Sequence, residues 1–271
     1  MSEMPPIRLI ATDVDGTLLA SNGKLPEDNR RAILAAQERG VIVAIASGRF
    51  AQNVYLLLQD YGLRCPMIAC NGAESTTEDL VPLAEHAIPP APLEAVYDTI
   101  TRAGADYFIF AQGCVCTSRS DRMHHSELSH GERIASLGFR YTRGAEAVKA
   151  ALRLPVRKFY ICDNVPLPPL RAALAKIPGI ELTQSSDANI EIMAAGVNKG
   201  LGVADLAAHY GIPMSQVMTL GDQENDLPML KAAGWGVAMG NGSEQAKHAA
   251  RFVTDTNDNC GFARAIERWA L

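Results

Sequence analysis

Two carboxylates stand two residues apart in Asp13-Val14-Asp15-Gly16-Thr17. Acids so spaced, and followed by a glycine turn, can divide labour: one attacks a substrate or binds a metal while its neighbour handles a proton. Three acids and an amide crowd Gly221-Asp222-Gln223-Glu224-Asn225-Asp226. Carboxylates that close raise one another's pKa unless a cation lies among them. Hard oxygen donors suit Mg²⁺, which keeps waters and substrate phosphate in its shell. Ser47-Gly48-Arg49 places a small hydroxyl where N–H groups at a helix start can hold a phosphoryl oxygen. Lys199, in Val197-Asn198-Lys199-Gly200, opens a helix, where a cation opposes the dipole unless an anion is bound there. Each pattern has a plainer reading too: an Asp-rich turn, a serine cap, a solvated lysine, an acidic helix N-terminus.

The elements that must carry these residues agree with one another. Residues 7–12 read as a short apolar strand, so Asp13 falls at its carboxyl end. Pro26 opens a helix that Gly40 stops. Residues 41–46 are continuously apolar, the mark of a strand buried on both faces of a parallel sheet. A helix over 50–61 and a third strand over 66–70 follow. Strand, helix, strand, helix, strand predicts an α/β fold with a doubly wound, Rossmann-like parallel sheet. Ligands bind at the carboxyl edge of such a sheet.

The rhythm changes after residue 84, where Pro89, Pro90 and Pro92 form the densest proline cluster of the chain. Helices and antiparallel strands then make an α+β layer, read as an inserted second domain over 85–194. The first domain comprises 1–84 and 195–271. Its α/β rhythm resumes with a helix over 199–210, a strand over 216–220, a helix over 225–233, and strands over 235–238 and 251–253. All four motifs fall at strand ends or helix starts of one predicted sheet.

In that combination the sequence resembles the haloacid dehalogenase (HAD) superfamily of phosphotransferases. The resemblance spans the whole first domain. It rests on Asp13-Val14-Asp15-Gly16-Thr17, Ser47 after the second strand, the distant Lys199, and the acidic stretch from Gly221 to Asp226. The insertion between Ser47 and Lys199 resembles a type IIB cap, a domain that selects substrates. Asn71-Gly72-Ala73 and Glu191-Ile192-Met193 ahead of Gly196-Val197-Asn198-Lys199-Gly200 resemble the Cof-type branch. Ala194-Ala195 departs from that branch, where proline is frequent before the glycine.

The resemblance implies roles. Asp13 is the nucleophile, forming an aspartyl-phosphate. Asp15 protonates the leaving alcohol and then deprotonates the hydrolytic water. Mg²⁺ is held by the Asp13 carboxylate, the Asp15 carbonyl and Asp222, with Asp226 in its outer shell. Ser47, Lys199 and Asn225 hold phosphoryl oxygens, with backbone N–H groups near Val14 and Gly48. Arg49 either reaches the substrate or ties a helix down. Asn71, Arg122, His124 and Asn189 are candidate substrate contacts, with Arg119, Asp121 and His125 further polar residues of the insertion. The implied activity is Mg²⁺-dependent hydrolysis of a small phosphorylated metabolite, a sugar phosphate first. A phosphomutase on the same scaffold and a silent phosphate-binding regulator are the alternatives. A dehalogenase has no use for Asp15 or for a Mg²⁺ cluster.

Composition narrows the partners. The 271 residues carry 25 basic and 30 acidic side chains, a net charge of −5 that leaves no broad positive field for nucleic acid. Aromatics, at 6%, do not supply a base-stacking platform. The six cysteines form no C-x-x-C pair and read as free thiols in a reducing compartment. The first residues lack a signal peptide's basic and apolar regions, and no apolar run reaches membrane-spanning length. The expectation is a cytoplasmic monomer or small homo-oligomer that binds neither membrane nor nucleic acid.

Overall fold

The computed structural model describes residues 5–119 and 125–271, and for 125–129 the backbone alone. The chain divides into two compact units, Met1–Ala84 with Asn198–Leu271, and Glu85–Val197. The first unit opens with β1 (Leu9–Thr12), α1 (Glu27–Glu38), β2 (Ile42–Ala46), α2 (Ala51–Asp60), β3 (Met67–Ala69), β4 (Glu74–Thr76) and β5 (Pro82–Glu85). The second unit holds α3 (Pro90–Arg102), β6 (Tyr107–Ala111), β7 (Cys114–Thr117), α4 (His125–Ser136), β8 (Arg140–Arg143), α5 (Ala145–Ala151), β9 (Val156–Cys162), α6 (Leu167–Leu174), β10 (Ile180–Thr183) and β11 (Asn189–Ala194). The first unit resumes with α7 (Lys199–His209), β12 (Val217–Gly221), α8 (Leu227–Ala232), β13 (Trp235–Ala238), α9 (Glu244–Ala249), β14 (Phe252–Val253) and α10 (Gly261–Trp269).

In the first unit the strand order is β14-β13-β12-β1-β2-β3-β4-β5. Neighbours from β14 to β3 are parallel, and β4 runs antiparallel to β3. Side chains alternate across this sheet. Ile10, Val43, Ile45, Met218 and Leu220 pack on one face with Ile33 of α1, Leu58 of α2, and Phe262 and Ile266 of α10. Leu9, Ala11, Ala44 and Ala46 pack on the other face with Val203 and Leu206 of α7 and Met229 of α8. Each large side chain buried in these layers contributes roughly 1.5–3 kcal/mol. The order reverses at β1, with β2 on one side and β12 on the other, and the crevice of an open sheet lies at such a reversal. Thr12 pairs with Leu220, so Asp13, just past β1, lies beside Gly221, the last residue of β12, with Asp222 next.

Some local expectations are corrected. β4 and β5 are not legible as strands, because Glu74-Ser75-Thr76 is polar and both strands are short. The third strand stops at Ala69, and Cys70–Gly72 form a tight turn. The helix expected over 225–233 starts later: Glu224–Asp226 form a 3₁₀ turn that hands over to α8, whose first turn accommodates Pro228. The second unit is a six-stranded sheet in the order β10-β11-β9-β6-β7-β8. It is not wholly antiparallel: β7 and β8 run parallel, because α4 carries the chain across between them. This unit extends to Val197 rather than ending at residue 194. All six cysteines are free thiols. Among the described residues no helix is long and apolar enough to cross a membrane.

Candidate active site

The site grows from the carboxyl ends of three parallel strands. Asp13 follows β1, Ser47 follows β2 and Asp222 follows β12. The Asp13 N–H donates to the Leu220 carbonyl at 2.9 Å, which continues the ladder one residue past β1. Asp13 is therefore held by the sheet, and Asp222 by the turn that follows β12.

Lys199, the first residue of α7, links this edge together. Its Nζ donates to Asp13 Oδ1 and to Asp226 Oδ1, each at 2.6 Å. The side chain is completely buried. Asn198 caps α7 by accepting from the Leu201 N–H at 3.1 Å, and so fixes where Lys199 begins the helix. A buried ammonium at a helix N-terminus is tolerable only with anionic partners. Burial alone would lower its pKa, but Asp13 and Asp226 outweigh that and raise it, so the lysine stays charged.

The second oxygen of Asp226 accepts from the backbone N–H groups of Asp222 and Gln223, at 2.8 and 3.0 Å. Asp226 is thus spent on Lys199 and on shaping the Asp222 turn. Asp222 receives the Thr17 hydroxyl at 3.0 Å. Gly16 lies against the same carboxylate: a Cβ there would stand 2.4 Å from Asp222 Oδ2. Its φ of +81° also favours glycine.

Carboxylate oxygens of Asp13, Asp222 and Asp226 lie within 4.8 Å of one another, and all three residues are buried. Burial pushes the Asp13 carboxyl well above its ordinary range; Lys199 pulls it back, while Asp226, Asp222 and Asp15 push it further. Asp222 is pushed up to about 7, first by burial and then by Asp226, with the Thr17 hydroxyl opposing. Three acids against one ammonium leave a deficit of positive charge. The donor set fits a hard divalent cation: it is all oxygen, closely spaced and anionic.

Ser47 is buried, and its Oγ accepts the Arg49 N–H at 3.2 Å. Gly48 lies between them in the same turn. Asn225 donates from Nδ2 to Asn71 Oδ1 at 3.3 Å, so Asn71 serves as a rest for the Asn225 amide. Val14 is buried within the Val14–Leu18 turn. Asp15, in that turn, is exposed and paired with Arg49. Asn189 lies in the second unit, its amide committed to Ser185, Ser186 and Tyr160. Arg119 pairs with Asp106 at 3.4 Å in the same unit. Asp121, Arg122 and His124 lie outside the described residues, as does the side chain of His125.

Asn241 and Asn257 escaped the sequence reading, and Thr17, read only as part of the first motif, had no role assigned. Thr17 holds Asp222, Asn241 donates to the Gly16 carbonyl at 2.8 Å, and Asn257 donates to the Leu19 carbonyl at 3.0 Å. Asn241 had a usable signal: it follows β13, another parallel strand, and sits between two glycines.

Residues 10–266 match the haloacid dehalogenase-like hydrolase family. The 5-amino-6-(5-phospho-D-ribitylamino)uracil phosphatase YcsE of Bacillus subtilis is 30% identical over 267 residues, covering 98% of this chain and 96% of its own. The HMP-PP phosphatase of Cronobacter sakazakii is 30% identical over 244 residues, 88% of this chain and 86% of its own. A solved haloacid dehalogenase-like hydrolase from B. subtilis superposes with a TM-score of 0.84 at 25% identity, covering 96% of this chain and 99% of that one. A solved sugar phosphatase of HAD subclass IIB superposes at 0.81 with 25% identity, covering 96% and 98%. The chain belongs to the haloacid dehalogenase-like hydrolase family, in the Cof-type, subclass IIB branch, many of whose relatives are named as phosphatases.

Proposed function

We propose that the protein is a Mg²⁺-dependent phosphatase of a small phosphorylated metabolite, with Asp13 as nucleophile. The observation that carries this reading is Lys199 bridging Asp13 and Asp226 beside Asp222 at one sheet edge. A carboxylate cannot approach a phosphate dianion without positive charge beside it. Lys199 supplies one such charge. The cation, held by the Asp13 and Asp222 carboxylates and the Asp15 carbonyl, supplies the remaining neutralisation when bound.

The chain's own groups then divide the work. The Asp13 carboxylate attacks phosphorus in line, and the bond to the leaving oxygen breaks as Asp15 gives that oxygen a proton. A water next attacks the aspartyl-phosphate and loses its proton to Asp15, which restores both acids and releases phosphate. Lys199, the Ser47 hydroxyl, the Asn225 amide and N–H groups near Val14 and Gly48 hold phosphoryl oxygens. Asp226 orients Lys199 and the Asp222 turn. Phosphate monoester hydrolysis is slow enough that enzymes accelerate it up to ~10²¹-fold, and most of that comes from positioning and charge stabilisation. We assign substrate selection to the inserted unit, and a sugar or polyol phosphate is the substrate class favoured by relatives named for a phosphoribityl compound and a sugar phosphate.

The test is phosphate release from sugar phosphates, nucleotides and cofactor phosphates with Mg²⁺ present. Free phosphate from at least one class is expected, and an isomeric ester without free phosphate would make the protein a mutase instead. Asp13→Asn should abolish release while keeping the wild-type circular dichroism spectrum. Normal turnover in that variant would remove Asp13 as nucleophile.

A further inference from the structure

Asp15 is the one member of the proposed machinery that projects into solvent, its side chain 64% exposed. It sits in the Val14–Leu18 turn, whose backbone at Asp15 and Gly16 is non-helical. An acid that must meet a leaving oxygen and then a water has to be held in place.

Arg49 does the holding. Its Nε donates to Asp15 Oδ2 at 3.0 Å and its Nη2 donates to Oδ1 at 2.6 Å, a two-pronged grip on both oxygens. Such forked pairs fix orientation as well as distance. The arginine is itself anchored. Nη1 donates to Asn53 Oδ1, in the first turn of α2, at 3.2 Å. Its backbone N–H donates to Ser47 Oγ, and its carbonyl accepts the Cys70 N–H at 2.8 Å. Asp15 is 64% exposed and Arg49 23%, so solvent screens the pair on the Asp15 side, and what the fork fixes above all is the direction of the carboxyl. The fork leaves a further lone-pair position on each oxygen, where the acid can carry the proton it gives to the leaving oxygen and can later take one from water.

We propose that Arg49 is the positioning residue that aims the Asp15 carboxyl at the leaving oxygen and then at the attacking water. The inference rests on the phosphatase reading above. When the ester cleaves, the leaving oxygen takes the Asp15 proton as its bond to phosphorus breaks. When the intermediate is hydrolysed, Asp15 takes the proton of the water whose oxygen bonds phosphorus. Arg49 touches neither reacting atom and acts only through the carboxyl.

The experiment compares kcat/KM of wild type and Arg49→Gln on an alkyl phosphate and on p-nitrophenyl phosphate. This ratio reports only steps through departure of the first leaving group. An alkoxide needs the proton to depart and p-nitrophenolate does not. A misplaced acid should therefore cost roughly 10²-fold on the alkyl ester and far less on the aryl ester. Added guanidinium should restore alkyl-ester turnover in Arg49→Ala, whereas Arg49→Lys, which lacks the fork, should not recover it. Inhibition by inorganic phosphate should be unchanged. Equal losses on both esters with weakened phosphate inhibition would assign Arg49 to phosphate binding and overturn the inference. Unchanged or faster turnover of the alkyl ester would overturn it as well. If wild type hydrolyses neither ester nor the wider panel, the phosphatase reading itself has failed.

Discussion

The Lys199 ammonium and the Asp226 carboxylate meet at 2.6 Å with both side chains fully buried. A buried pair is poor evidence of net stability, because desolvation consumes most of the attraction. Its meaning lies in what it excludes. Asp226 cannot turn toward a cation without abandoning Lys199 and the two N–H groups it accepts from. It orients the cluster rather than completing it.

That division sets the first expectation. Asp226→Asn leaves Lys199 with Asp13 alone and removes an acceptor from the Asp222 turn. Breaking one side of a buried pair costs about 3–5 kcal/mol. The repulsion Asp226 exerts on Asp13 and Asp222 disappears at the same time, so the lower end applies. A fall in Tm of roughly 6–12 °C is expected in thermal unfolding without Mg²⁺, together with loss of activity. An unchanged Tm would mean that Asp226 is not a structural member of the cluster.

The acids also make stability depend on pH in a direction opposite to that of ordinary paired carboxylates. Burial raises Asp13, and raises Asp222 from its usual 3.8 to about 7. Between those limits the folded protein binds more protons than the unfolded chain, so stability falls as pH rises. For Asp222 the contribution is complete below about pH 4 and lost as pH rises through about 7 in metal-free protein. Mg²⁺ takes the ionised form, so its stabilising effect should grow over the same interval. Tm measured across this range with EDTA and with Mg²⁺ should give two curves that diverge toward high pH. Parallel curves would show that the cation does not bind these carboxylates.

The residues at strand ends were legible because the sheet imposes their placement: Asp13, Ser47 and Asp222 each follow an apolar run that can only be a buried parallel strand. Lys199 was legible because its charge is out of place at a helix start. The partners that fix them were not. Thr17 reaches Asp222 across 205 residues of chain, and Asn241 reaches Gly16 across 225, distances over which no local spacing carries information. Arg49 was ambiguous for the same reason, since its two readings differ only in where a long side chain ends. The antiparallel strand β4, between β3 and the edge strand β5, was missed because its burial comes from tertiary packing of polar residues.

Gly16 offers a test of how closely the Asp13–Thr17 turn is fitted to Asp222. An added Cβ would sit 2.4 Å from Asp222 Oδ2, at a φ of +81°. Gly16→Ala therefore brings left-handed backbone strain of about 1–2 kcal/mol and displaces the carboxylate from the Thr17 hydroxyl. Gly23→Ala separates the two effects. Its φ is +76°, and a Cβ there meets nothing within 4 Å, so it carries the backbone strain alone. Both variants should lose similar stability from the backbone. Only Gly16→Ala should raise the Mg²⁺ concentration needed for half-maximal activity, by about tenfold for each ~1.4 kcal/mol by which Asp222 is displaced from its cation-binding position. Mg²⁺ titrations of activity on the two variants decide this. If they give the same half-saturation, the close approach of Gly16 to Asp222 has no part in holding the cation.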